Sequence, residues 1–531
     1  MALRHTAFLL CILGLIVTLV LRPGGFWGGV LLAAFAFLIL LGIRDLLQRR
    51  HSVLRNYPVI GHVRWLVEMI RPEIRQYLVE SDTDATPFSR AQRSLVYRRA
   101  KEDPSDHPFG TLVDVYADKY EFIQHSLTPI AVPDAAAFRV TVGNGQCHQP
   151  YSASVFNISA MSFGALSANA IRALNQGAAR GGFYHDTGEG SLSAYHREHG
   201  GDVVWQIASG YFGCRDAHGR FDPDRFAELA ACDQVRMIEL KLSQGAKPGH
   251  GGVLPGRKVT REIAATRGVP AGVDCISPAR HSAFDTPSEL LAFLQQLRVL
   301  SGGKPVGIKL CVGLPWEFMA IVKAMLATGI VPDFIVVDGA EGGTGAAPVE
   351  FSDHIGVPMR EGLLFVHNTL VGAGLRDHVR IGVAGKLVSA FDLAAVLAIG
   401  ADWANAARGF MFALGCIQSM SCHTNRCPTG IATQDPRRAR ALVVPDKAER
   451  VQRFHARTVH ALAELLAAAG LSHPDELKPH HLVHRVSATE VRQFDRLHYV
   501  AAPNDLIEGR AASRFYQDNW NHARPDRFAR R

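Results

Sequence analysis

Three cysteines, Cys416, Cys422 and Cys427, stand in the run GCIQSMSCHTNRCPTGIATQDP with a C-x5-C-x4-C-P spacing, while the other six of this 531-residue chain are scattered singly. Nine cysteines in so long a chain are too sparse for a disulfide framework, so a close trio points to a metal or cluster site in a reducing compartment. Zinc would ask for a fourth ligand. The nearest, His423, directly follows Cys422, and adjacent residues seldom serve one tetrahedral centre. Three thiolates and a Cys-Pro ending suit an iron–sulfur cluster better, and a three-iron cluster takes one thiolate per exposed iron.

A second set of residues has the chemistry of anion binding. The run IELKLSQGAKPGHGG places Lys241 near a strand end and Gln244, Lys247 and His250 in the glycine-rich loop beyond it, and VGIKLC repeats the signal with Lys309. A single such lysine reads as a snorkelling surface residue. Two on neighbouring strands point to a bound anion, because a buried ammonium needs an anionic or hydrogen-bonding partner. The loops GVAGKLVSAFD and NAARGF offer Gly385, Lys386, Ser389, Ala407, Arg408 and Gly409, where backbone N–H groups at glycines and helix starts would face a phosphate. Either loop alone would be ordinary loop chemistry. Flavin is the phosphate-bearing cofactor that suits a neighbouring one-electron cluster, since it converts single electrons into a hydride pair. His480, His481 and His484, in KPHHLVH, could hold a metal, but their loose spacing favours surface histidines.

The elements that must position these residues follow from the pattern of apolar runs. From about residue 151 short apolar runs end in Gly, Ser, Asp or Lys, each followed by a helical stretch: SVFNISAMSFG, GGFYHDTGEG, VRMIELKLSQGAKPG, GVDCISP, PVGIKLCVG, DFIVVDGAEGGTG, VRIGVAGKLVS and ADWANAARG. Eight such units predict an α/β fold, a (β/α)8 TIM barrel with its site at the strand ends, and VVWQIASGYFG reads as an extra excursion. The tail carries an amphipathic helix, KAERVQRFHARTVHALAELLAAAG, stopped at Gly470.

Two uncharged apolar runs, AFLLCILGLIVTLVL and FWGGVLLAAFAFLILLGI, are separated only by an Arg-Pro-Gly turn and predict a transmembrane helical hairpin. A cleaved signal peptide would explain the first run but not the second, and no small-x-small site follows Leu21. Arg44, Arg49, Arg50 and Arg55 follow the second run while the turn holds only Arg22, so the positive-inside bias puts the rest of the chain in the cytoplasm at the inner membrane, as a multi-pass protein. The expected division is a hairpin at residues 1–45, a cap or linker at 46–145, the barrel with its cysteine loop at 146–440, and a helical extension at 441–531. The formal charge of +8 is compatible with nucleic acid, anionic lipid or an acidic protein. No zinc-finger spacing, basic helix or aromatic-basic repeat is present, which disfavours nucleic acid.

With these residues assembled, the chain resembles the FMN-binding glutamate synthase family, specifically its membrane-anchored, stand-alone synthase members. The cysteine trio with CPTGIATQDP is the most specific match, and ISAMSFGALS, IELKLSQGAKPG, EGGTGAAP and FALGC add to it. The resemblance implies FMN on the strand-end face and a [3Fe-4S] cluster on Cys416, Cys422 and Cys427. It also implies Ala160, Met161 and Ser162 beside the isoalloxazine, with Gln206 and Lys241 in polar contact with it. Gln244, Lys247 and Lys309 are then expected at substrate or flavin, Gly342, Gly343 and Thr344 closing the site, and Gly385 with Ala407, Arg408 and Gly409 on the phosphate. The implied reaction is reductive amination of 2-oxoglutarate through 2-iminoglutarate to L-glutamate, by an oxidoreductase acting on CH–NH2 donors.

The chain also departs from that family. It opens MALRH where full-length members carry a glutaminase domain, so ammonia would come from elsewhere. His250 replaces the usual acidic residue of KPGEGG, and AGKLVS stands in place of DGGIRT; a histidine still transfers protons near neutral pH. No G-x-G-x-x-G with a ribose-binding acid follows a strand, so electrons would come from a ferredoxin-like protein or membrane carrier. Three other readings stay open: a related enzyme acting on another 2-oxo acid or N-substituted glutamate, a non-catalytic electron-transfer or scaffold subunit, and a zinc-bound structural protein.

Overall fold

The computed structural model describes residues 3–48, 51–83, 86–104, 106 and 108–530; Arg49 and Arg50 of the expected basic cluster lie outside them. The chain forms two compact units, residues 1–90 and 91–531. In the first, helices α1 (Thr6–Leu21) and α2 (Gly25–Leu47) pack against each other across the Arg22 turn. Small residues set their approach: a Cβ on Gly14 would lie 2.5 Å from the Phe35 ring, and one on Gly42 2.2 Å from Phe8. Most apolar side chains of both helices face outward. Helix α2, at 23 residues and a mean hydropathy of 2.4, is the one helix among the described residues long and apolar enough to cross a membrane; α1 is 16 residues long. A third helix, α3 (Gly61–Ile74), follows.

The second unit is a closed barrel of eight parallel strands: β1 (Phe156–Ile158), β2 (His185–Asp186), β3 (Val203–Ile207), β4 (Val235–Lys241), β5 (Val306–Leu310), β6 (Phe334–Asp338), β7 (Arg380–Ala384) and β8 (Trp403–Ala406). The count of eight is as expected, but two segments exchange roles. VVWQI is strand β3, buried at all five positions, a continuous β-branched and aromatic run of the kind that fills a doubly covered parallel sheet. GVDCISP contributes instead a two-residue strand, Cys275–Ile276, paired antiparallel with Val253–Leu254 outside the barrel, with Ile276 exposed.

Because side chains alternate across a strand, every second residue points inward. Tyr184, Val204, Met237, Phe334, Val336 and Trp403 form one apolar cluster with Val142, Tyr151 and Ala153. The last three belong to a hairpin, Arg139–Val142 with Tyr151–Ser154, which packs onto the apolar floor of the barrel. Helix α4 (Ala168–Gly181) follows β1 and is N-capped by the Ser167 hydroxyl. Helix α5 (Arg408–Ala413) follows β8. The expected tail helix is α6 (Val444–Ala469), ended by Gly470 in the left-handed region at φ 77°. It packs tightly on α4, since a Cβ on Gly177 would lie 2.5 Å from Val451. Beyond it Leu482–Ser487 pairs with Glu121–Ile123 and with Glu490–Gln493, and His484 lies 3.2 Å from Glu121.

Candidate functional site

The same alternation that puts apolar residues on the barrel floor puts polar ones above it. Asp186, Gln206, Glu239, Lys309 and Asp338, from five consecutive strands, are all buried. Gln206 donates its amide N–H to Glu239 Oε1 at 2.6 Å, and Glu239 and Asp186 are hydrogen-bonded to each other. Burial, then the neighbouring Glu239, pushes Asp186 well above the usual carboxylate range, and burial likewise raises Glu239. Two carboxyls that close cannot both ionise cheaply, so the pair holds a proton to unusually high pH. Burial works against the charge of Lys309, but Asp338, 3.7 Å away, with Glu239 and Asp186 outweighs it and raises the lysine. The partner that a buried lysine requires is therefore supplied for Lys309 by the chain itself.

Lys241 stands two residues above Glu239 on the same inward face of β4. Its Nζ donates to Glu189 Oε2 at 2.9 Å, with both side chains largely buried. Glu189, from the loop after β2, is absent from the residues singled out in the sequence. Burial would push its carboxyl up, but Lys241, and beyond it Arg267 and Lys247, pull it down to about 2. Ser277 donates to the same oxygen at 3.4 Å, and a Cβ on Gly252 would lie 1.9 Å from Glu189 Oε1. The small antiparallel strand pair that includes the segment expected as a barrel strand thus walls Glu189 in. His281, likewise missed, places Nε2 2.9 Å from the Lys241 carbonyl and Nδ1 3.0 Å from the Tyr211 hydroxyl. Burial depresses it to about 4, so it is neutral at pH 7: Nε2–H donates to the carbonyl and Nδ1 accepts from Tyr211.

The loop after β4 folds back over the strand ends. Gly245 donates its N–H to Asp338 Oδ2 at 3.0 Å and passes so close to Gly339 O that a Cβ would sit 1.8 Å away. Lys247 is buried and donates to the Ala346 carbonyl at 3.0 Å; burial lowers it, with Glu189 working the other way. Gln244 is half-buried beside it and its carbonyl accepts from Lys247 N–H. His250 is turned to the Gly251 carbonyl, 2.8 Å from Nδ1, and to the edge of Phe351.

Ala160, Met161 and Ser162 leave the end of β1 as a shelf. Gly188, at φ 62°, is pressed against it, where a Cβ would lie 2.8 Å from Ser162 N. Arg267 donates to Ser162 Oγ at 3.3 Å. The turn at Gly385 and Lys386, the latter at φ 53°, adjoins the start of α5: a Cβ on Gly409 would be 3.4 Å from Leu387 O. No side-chain hydrogen bond caps that helix at Ala407 among the described residues. Gly342 and Gly343 continue the loop after β6. Arg408 reaches that loop, donating to Thr344 O at 2.8 Å and lying 3.5 Å from Cys422 Sγ.

Cys416 and Cys427 are buried and Cys422 half-buried. Burial raises Cys416, and the charges of Cys422 and Cys427 add to this, so the three thiols share one neighbourhood. Burial opposes ionisation of Cys427 too, yet the Thr429 hydroxyl at 3.3 Å and the N–H groups of Ala432, Thr429 and Ile431 outweigh it and lower the thiol. Lys258 ties the loop to β1 by donating to the carbonyls of Ala165, Cys422 and Ala432. His423 is exposed. Among the described residues no three His, Cys, Asp or Glu side chains converge as they would about a single metal ion. A thiol ringed by N–H donors fits a thiolate-ligated cluster, whose sulfurs accept such bonds.

A polar, charged mouth at the carboxyl ends of a parallel barrel defines an α/β-barrel enzyme site. The conserved region in glutamate synthase matches residues 120–472. The glutamate synthase large subunit-like protein YerD of Bacillus subtilis is 36% identical over 90% of this chain and 98% of its own length. The archaeal glutamate synthase (NADPH) of Archaeoglobus fulgidus is 35% identical, and the archaeal-type enzyme (NADPH) of Thermotoga neapolitana 34%, each over 60% of both chains. The chain belongs to the glutamate synthase family, whose enzymes are oxidoreductases acting on CH–NH2 donors. It spans about 60% of the length of those two synthases.

Proposed function

We propose that the chain is an FMN- and iron–sulfur-dependent oxidoreductase that reductively aminates 2-oxoglutarate, through 2-iminoglutarate, to L-glutamate. Residues 1–45 anchor it as a multi-pass hairpin in the inner membrane with the barrel in the cytoplasm, and separate partners supply ammonia and electrons, the latter from a ferredoxin-like donor or membrane carrier. The observation that carries this reading is the concentration of Lys241, Lys247, Arg267 and Glu189 at the strand ends, three cations around one carboxylate. That excess positive charge suits a dicarboxylate.

The Met161–Ser162 shelf, the Gly342–Thr344 loop and the Gly385–Lys386 turn beside Ala407–Gly409 would hold FMN, and Cys416, Cys422 and Cys427 the cluster. When bound, FMN supplies a hydride and the cluster supplies electrons singly. In this reading Lys247 and Gln244 bind the substrate carboxylates. Glu189 keeps Lys241 aimed, while His281 fixes the backbone from which Lys241 projects. His250 takes the place of a proton donor at the loop entrance. Gln206 and Lys309 act from below, through the Glu239 and Asp338 carboxyls they are bonded to.

The protein purified anaerobically in detergent and then reduced is the test. Bound flavin should reoxidise only when 2-oxoglutarate and ammonium are both present, Lys247→Ala should lose this response, and Cys427→Ser should lose the cluster absorbance. A colourless protein, or a reduced flavin indifferent to the pair, would overturn the proposal.

A further inference from the structure

Helix α3, without an assigned role, carries an apolar stripe that stays exposed among the described residues. Val63, Leu66, Val67, Ile70 and Ile74 fall within about 100° of one another at 3.6 residues per turn. All five are 38–53% exposed. Past the helix, Tyr77 is as exposed as Leu66, and Leu78 and Val79 more so. Arg64, Glu68, Arg71 and Arg75 line its flank, with Arg64 paired to Glu68 at 3.0 Å. Between residues 44 and 80 the chain has seven arginines against four carboxylates and no lysine.

The start of α3 is fixed to the end of α2. Asp45, fully buried near the last turn of α2, accepts the Val59 N–H at 3.0 Å and faces His62 Nε2 at 2.9 Å. Gly42 and Gly61 complete the joint, since a Cβ on Gly42 would lie 3.1 Å from Val59 and one on Gly61 2.9 Å from Leu54. The amphipathic helix therefore leaves from the level at which the apolar surface of α2 ends.

We propose that α3 lies in the plane of the membrane, its Val63–Ile74 stripe among the acyl chains and its arginines at anionic headgroups. This rests on the reading of α1 and α2 as membrane-embedded. Two features choose lipid over a protein partner. The stripe starts where the exposed apolar surface of α2 ends, and its flank is rich in the cation that pairs with phosphate. A continuous apolar stripe beside a basic flank, without the length to span, is the pattern of an in-plane helix.

A photoreactive amino acid placed singly at Leu66, Glu68 or Leu40 of the full chain, in vesicles containing phosphatidylglycerol, reads the contacts directly. Lipid adducts at Leu66 and Leu40, and several-fold fewer at Glu68, are the expected result. Adducts at Leu40 with none at Leu66, or protein adducts at Leu66, would overturn the in-plane placement and leave the anchor standing. Absence of lipid adducts at both Leu66 and Leu40 would remove the anchor and the placement together.

Discussion

Replacing Lys241 with Met should expose how strongly the mouth of the barrel depends on one ion pair. The Glu189 carboxyl is held at about 2 against an ordinary 4.5, with Lys241 the largest of the three cations that hold it there. At 1.36 kcal/mol per unit this corresponds to about 3 kcal/mol favouring the ionised form. Its pH dependence has a definite sign. A carboxyl whose folded value is depressed stabilises the protein above its unfolded value, and that contribution disappears as pH falls from about 4.5 toward about 2. The 441 residues of the second unit have an unfolding entropy of roughly 0.9 kcal/mol/K, so the loss is worth about 3 °C in melting temperature. Scanning calorimetry of Lys241→Met, Glu189→Gln and the double variant at pH 7 should give a double-variant loss about 2 kcal/mol smaller than the sum of the singles. The gap between wild type and Lys241→Met should shrink toward pH 2.5. Losses that simply add, or a gap indifferent to pH, would refute the claim that Lys241 and Glu189 act as a unit.

Other buried charges give predictions in separate windows. His185 is fully buried, neither of its ring nitrogens has a partner among the described residues, and burial, then His196, holds it well below its usual value. An imidazole so depressed leaves the unfolded chain binding more protons below about pH 6.5, so stability falls as pH drops through that value, by about 2 kcal/mol at pH 5. His185→Phe should lessen the fall in urea-melt stability between pH 7 and 5 by about 2 kcal/mol, the rest coming from His196, His281, His367 and His455, which burial also depresses, and an unchanged slope would count against the neutral ring. Arg298 and Asp333 form a buried pair at 3.1 Å behind β5 and β6. Arg298→Met should cost about 3–5 kcal/mol by stranding the carboxylate. Adding Asp333→Asn should recover part of the fall in melting temperature, and a single variant that melts like wild type would sink this reading.

The barrel was legible in the sequence because its strands are short apolar runs closed by Gly, Asp or Lys, and this texture survives without any alignment. What misled was the weight given to a Gly- and Pro-bounded run. GVDCISP looks like its neighbours, whereas VVWQI lacks a charged or glycine terminator and seemed an insertion. Five consecutive buried positions distinguish the second, and the period-2 rule alone could not, because a strand covered on both faces does not alternate. Glu189 was hidden for a different reason. In TGEG it has the composition of a turn, and only closure of the barrel brings the loop after β2 against the end of β4.

Lys241 and Lys309 show where local sequence reasoning ends. Each follows apolar residues on a strand, they are direct partners in the β4–β5 register, and sequence alone gave both the same expected anion. Their surroundings differ in which carboxylates the fold delivers. Lys309 is enclosed by Asp338, Glu239 and Asp186, and its charge is consumed inside the barrel. Lys241 shares one carboxylate, Glu189, with Lys247 and Arg267, which leaves that part of the site with more positive than negative groups. Excess charge near a concave mouth attracts an anion, while compensated charge beneath it fixes the strands that form the mouth. In the proposed reading Lys247 is therefore the lysine that meets a substrate carboxylate, since among the described residues its Nζ donates to the Ala346 carbonyl and it has Glu189 only as a carboxylate shared with Lys241 and Arg267.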